Sequence, residues 1–254
     1  MVLAFVLIGL SLYMLAALLL GLRLLGSALR SRKLTDLSLA LSYLTSGALG
    51  WVLFLVSQEP HVQASPVSAT LASLSLLCLC AGTAFWALGT WKLFRPAVAW
   101  AQAAFWVTSA LLAADFVHNG LITGVTFPSP SDPWYWPGAV ARTWVFSWFS
   151  WEALRYHGLL RRRLRLGLAD VVTTQQMLLW SFTGMAALVS HLVAVVATLL
   201  GVERRYGLEL AIVWSCDGLV SAACILLAFF PPEGYLRWLR ARADGAESAG
   251  GSPG

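Results

Sequence analysis

The fold class that this chain predicts is all-α: an integral membrane bundle of seven transmembrane helices, N-terminus outside and C-terminus cytoplasmic. Three observations lead there. Of 254 residues, 59% are apolar and only 11% charged, against about 25% charged in an ordinary soluble domain, so polar groups are too few to cover a water-facing surface. Seven mostly apolar stretches recur, each of the roughly 20 residues that a hydrocarbon core about 30 Å thick requires. The basic residues fall in short clusters between those stretches, on alternate sides.

The first stretch, residues 2–22, lacks a basic leader and exceeds a signal-peptide core, so it is expected to be retained. The second, 37–57, follows Thr35 and Asp36, both suited to capping a helix start. The third, 67–91, carries Cys78 and Cys80, and the fourth, 97–121, carries Asp115 and His118 close to its end. The fifth, 138–160, is interrupted by Arg142, Glu152, Arg155 and His157. Trp144, Trp148, Trp151 and Arg155 recur there at helical spacing, which predicts a polar-faced span inside a bundle. The sixth, 176–201, begins after Thr173, which has capping-box spacing to Gln176. The seventh, 207–230, is stopped by Pro231 and Pro232.

Residues 1–232 therefore form one transmembrane domain, followed by a basic interfacial segment at 233–243. Tyr235, Leu236, Trp238 and Leu239 are expected at the headgroup level there, with the arginines facing anionic lipid. The Gly/Ser/Ala-rich residues 244–254 are predicted to be a disordered tail. The longest loop, 119–137, holds four prolines with Trp134, Tyr135 and Trp136, an aromatic cluster of the kind that anchors at a membrane interface.

Orientation follows from Lys and Arg. Fourteen of the 17 lie on one side, in the clusters 23–33, 92–95, 155–165 and 237–242, while Arg142, Arg204 and Arg205 lie on the other. The positive-inside rule puts the first set in the cytoplasm. Fifteen arginines against two lysines in an Ala/Leu/Gly-rich background suggest a GC-rich bacterial source and an inner-membrane location. The net charge of +5 is therefore a membrane-topology signal, and nucleic-acid binding is excluded.

Ionisable groups within hydrocarbon are costly and mark functional positions. His191 and Asp217 each lie ten residues from the outer ends of their spans, about 15 Å deep at 1.5 Å per residue, so antiparallel neighbours bring them to one level. Asp115 and His118 are three apart on the fourth span, and Arg142 sits at similar depth on the fifth, which allows an Asp–Arg pair. Glu152 pairs locally with Arg155, or else extends a polar track toward His191 and Asp217. These six residues form the candidate intramembrane polar site. Arg161, Arg162, Arg163 and Arg165 form a candidate cytoplasmic basic patch for a membrane or cytoplasmic protein partner, or for lipid.

The four cysteines fall within spans, where they serve as small hydrophobes; neither disulfides nor a metal site is expected. His-Glu-x-x-His and Gly-x-Ser-x-Gly are missing, so no catalytic residue and no enzyme class is assigned. The threading resembles rhodopsins and receptors in topology alone. Both lysines, Lys33 and Lys92, lie at the boundary rather than in the last span, which excludes retinal, and no other cofactor is expected. The expected function is a sensor or signal-relay module with a polar intramembrane pocket acting through a separate partner. The alternatives are a proton-coupled or small-solute transporter and a non-catalytic accessory subunit.

Overall fold

The computed structural model describes residues 2–124, 130–201 and 208–250, and side chains within 5–124, 130–201 and 210–241. Among the described residues there are helices and no strands. In chain order these are α1 (Val2–Ser31), α2 (Leu34–Ser42), a π-helical segment π1 (Tyr43–Gly50), α3 (Trp51–Ser57), α4 (Pro60–Gln63), α5 (Val67–Phe94), α6 (Ala99–Asp115), a second π segment π2 (Phe116–Ile122), α7 (Tyr135–Leu164), α8 (Val171–Leu199), α9 (Leu208–Phe229) and α10 (Glu233–Gly250). Since α2, π1 and α3 run on without a break, as do α6 and π2, the described residues form seven long rods, with the one-turn α4 and the C-terminal α10 besides.

Among the described residues, six rods are long and apolar enough to cross a membrane: Phe5–Ser31, Leu34–Ser57, Val67–Phe94, Ala99–Ile122, Val171–Leu199 and Leu210–Phe229. The chain is thus a multi-pass membrane protein. The rod α7 has 30 residues but falls outside that set. Its interruptions are the reason: Arg142, Glu152, Arg155 and His157 lower its apolarity, yet Val145, Phe149, Glu152 and Ala153 on one face are all buried among its neighbours. Of the expected Trp144–Trp148–Trp151–Arg155 ladder only Trp148 is buried, so that ladder is not the inward face.

Packing joins the rods into a closed ring, in the order α1, the α2–π1–α3 rod, α5, α7, α8 and α9, which returns to α1; α6 packs against both α5 and α7. Close approach depends on small residues, as expected where lipid is no less apolar than the interior. A Cβ on Gly9 of α1 would stand 2.6 Å from the Ser215 carbonyl oxygen of α9, and one on Gly82 of α5 would stand 2.7 Å from the Ser46 backbone nitrogen of π1. The exposed residues, by contrast, include large aliphatics and aromatics such as Leu7, Ile122, Trp106 and Val189, which suit contact with acyl chains.

Helix starts differ from the expected caps. At α8 the cap is Asp170, whose carboxylate accepts from the Thr173 backbone N–H at 2.9 Å, so the start lies upstream of the Thr173–Gln176 pair. The α2 start has Lys33 at the cap position with no side-chain bond, and Asp36 instead accepts from Ser27 at 2.8 Å across the α1–α2 turn. The bounds of α10 pass Ala243 to Gly250, into the segment for which composition predicts disorder; residues 251–254 lie outside the described ones.

Candidate functional site

A cavity of about 210 Å³ lies inside the ring. By position along the rods it sits away from the basic helix ends. Every long rod contributes to its wall: Tyr13 from α1, Ser46 from π1 and Trp51 from α3, Thr83 and Trp86 from α5, Asp115 from α6, Arg142 from α7, His191 from α8, and Trp214 and Asp217 from α9. Four of the six candidate site residues, Asp115, Arg142, His191 and Asp217, therefore share one chamber.

One pole of the chamber is an ion pair. Asp115 closes α6 where the π segment begins, the residue 3% exposed, and its Oδ2 accepts from Arg142 Nη2 at 2.7 Å. Its Oδ1 accepts from Asn119 Nδ2 at 2.7 Å, and that same amide group also donates to the Trp134 carbonyl at 3.1 Å. The Cys80 thiol donates to Asp115 Oδ2 at 3.6 Å and its sulfur accepts from Arg142 Nη2 at 3.3 Å. Both carboxylate oxygens are thus satisfied, as a buried charge requires. Gly138 makes the arrangement sterically feasible, because a Cβ there would collide with the Asp115 carboxylate and stand 2.7 Å from Arg142 Nη1.

The other pole is Asp217. Its Oδ1 accepts from Ser221 at 3.1 Å, one helical turn further along α9, and the Ser190 hydroxyl of α8 approaches the same carboxylate. His191 faces the same chamber, but its Nε2–H donates to the Ala139 carbonyl of α7 at 3.1 Å. Among the described residues the ion pairs are Arg95–Glu152, Arg142–Asp115 and Arg155–Glu152, so His191 and Asp217 share a cavity without forming the expected pair.

Glu152 lies elsewhere. It is 4% exposed toward the basic end of α7, where Arg95 Nε donates to it at 2.8 Å and Arg155 Nη1 stands 3.5 Å away. It does not line the cavity, and the polar track from Glu152 to His191 and Asp217 is interrupted there. His118 also stays outside the lining: its Nδ1–H donates to Asn119 Oδ1 at 3.2 Å and its ring stacks on Trp134 at 4.6 Å. Of the aromatic loop cluster, then, Trp134 packs on His118, Tyr135 is buried in the cavity wall, and Trp136 is exposed. Arg161, Arg162, Arg163 and Arg165 are exposed around the C-terminal end of α7, where positive charge also suits the helix dipole.

Sequence reasoning missed Asn119, Cys80 and Arg95. Asn119 carried a usable signal, since it follows Asp115 by four residues and so shares its helix face. Among the described residues no group of three or more His, Cys, Asp or Glu is placed to hold a metal ion, and the four cysteines are free thiols. Chemically the chamber offers two carboxylates, one guanidinium, one imidazole and aromatic walls, a set that suits holding a molecule by charge and shape. Compared with known proteins, the chain matches no family model, no curated protein and no solved structure.

Proposed function

We propose that the chain is a sensor or signal-relay module of a bacterial inner membrane, threaded seven times with its N-terminus outside, whose central cavity takes a small polar ligand. The observation that carries this reading is the cavity wall itself, to which every long rod supplies side chains. An occupant in contact with all the rods biases their packing, because it favours whichever arrangement gives it the better contacts. One rod offers a direct line outward. Arg142 in the cavity and Arg161 at the basic end are on the same helix, separated by roughly 28 Å of continuous α7 at 1.5 Å per residue. Between them Glu152 ties α7 to Arg95 beyond α5, so a shift of α7 is felt at the face where Arg161, Arg162, Arg163 and Arg165 meet lipid or a separate protein.

The test uses the purified protein in detergent or nanodiscs. Trp51, Trp86 and Trp214 all line the cavity, so a bound molecule changes intrinsic tryptophan fluorescence. The expected outcome is a saturable response to at least one compound in a broad panel of small polar molecules at pH 5 to 8. The combined Asp217→Asn and His191→Ala variant loses it while retaining its elution profile. A flat signal across the whole panel overturns the reading.

A further inference from the structure

We propose that the cavity selects a small organic monocation with a ring-sized apolar body, its ammonium group seated on Asp217. The inference rests on the ligand-binding reading above and adds the ligand's charge and shape. Charge compensation around the chamber is uneven. Arg142 is matched by Asp115 at 2.7 Å, which leaves that pole neutral overall. Asp217 has serine hydroxyls for company and, among the described residues, no cationic partner within salt-bridge distance. A carboxylate in a chamber screened from bulk water favours an occupant that supplies the missing positive charge; an anion would add to the imbalance and a neutral molecule would leave it.

The walls agree with this assignment. Trp214 precedes Asp217 by three residues on the same face of α9, and its ring packs against Trp51 at 5.7 Å and Phe54 at 6.3 Å in edge-to-face geometry. All three rings line the cavity beside the carboxylate's helix, an arrangement in which ring faces and a carboxylate attract the same cation. The ligand thus carries a cationic group at one end of an aromatic or cyclic body.

Three probes with one shared body isolate the charge: tyramine, the neutral 4-ethylphenol and the anion 4-hydroxyphenylacetate, each titrated calorimetrically into the purified full-length protein. The expected result is that tyramine binds about tenfold or more tightly than 4-ethylphenol, the advantage of a charge-assisted contact, and that 4-hydroxyphenylacetate binds weakest. Asp217→Asn removes the preference while 4-ethylphenol binds as before, which also shows that the variant is folded. Trp214→Leu, with the carboxylate intact, weakens tyramine more than 4-ethylphenol. Equal affinities for tyramine and 4-ethylphenol, or a preference that survives Asp217→Asn, overturn the monocation assignment and leave the cavity as a binding site. Failure of all three probes also overturns the assignment, and the broad fluorescence panel then decides separately whether the cavity binds anything.

Discussion

Asp115 and Arg142 illustrate what a single charged pair means inside this bundle. The carboxylate is almost fully buried and each oxygen has a partner, so removal of one charge leaves the other stranded. Arg142→Met is expected to destabilise the protein by about 3–5 kcal/mol, the usual consequence of an uncompensated buried charge, whereas Asp115→Leu combined with Arg142→Met recovers most of that loss. Thermal unfolding in one detergent, wild type against the single and double variants, measures both; a double variant as unstable as the single one would show that shape rather than charge governs the site. This pair was legible because ionisable residues at matched depth in an apolar sequence stand out. Cys80 was not, since a thiol reads equally as a packed hydrophobe, and its contacts at 3.3 and 3.6 Å depend on the rotation of α5. The same holds for Glu152, whose better partner, Arg95, lies 57 residues away in sequence, while the local Arg155 is the longer contact.

At the scale of helices, length was easy to read and facing was not. In water a helix shows its inner face by apolarity, but here both faces are apolar and size does not separate them either: Ala16, Ala17 and Ala87 are buried, but so are Leu20, Leu112 and Phe149, while Leu15, Leu18 and Leu74 are exposed. This is also why the helical spacing of the Trp ladder of α7 did not say which face turns inward; only Trp148 of its three tryptophans is buried. The π segments left no periodic trace either, although π1 supplies Ser46 to the cavity and π2 supplies Asn119 to the ion pair, in keeping with the tendency of π turns to occur at functional sites. Two glycines of α1 separate packing from propensity. Gly9→Ala places a methyl against the α9 backbone, which cannot give way like a flexible side chain, so α1 and α9 must separate. Gly26 has open space where its Cβ would be, so Gly26→Ala is expected to be neutral or to stabilise by about 0.5–1 kcal/mol through helix propensity alone. Unfolding midpoints of the two variants should therefore move in opposite directions from wild type, or only that of Gly9→Ala should move. Equal shifts would mean that the α1–α9 contact is not a tight one.

Across the whole molecule the two kinds of polar residue are segregated by level. The cavity occupies one half of the ring, and the arginine-rich ends of α1, α7 and the segment after α9 gather at the other, where Arg23 also bonds the Phe229 carbonyl and Lys92 lies 3.6 Å over the Trp91 ring. That level is set by chain order alone, which explains why it could be read before any helix was oriented. It leads to a sharp expectation for threading. Green fluorescent protein fused after Gly254 should fluoresce and alkaline phosphatase at the same position should be inactive, with the reverse result for fusions at Ser131 in the loop before α7. The bias is also redundant: with Arg161, Arg162, Arg163 and Arg165 all changed to Gln, ten basic residues still face three. Because orientation follows the summed basic bias of the flanking loops and termini rather than any one cluster, both reporters should read the same in that variant, while a docking partner or anionic vesicles should bind its basic face less well. A reversed reporter pattern in the wild type would put the cavity on the cytoplasmic side, and the ligand would then have to come from inside the cell.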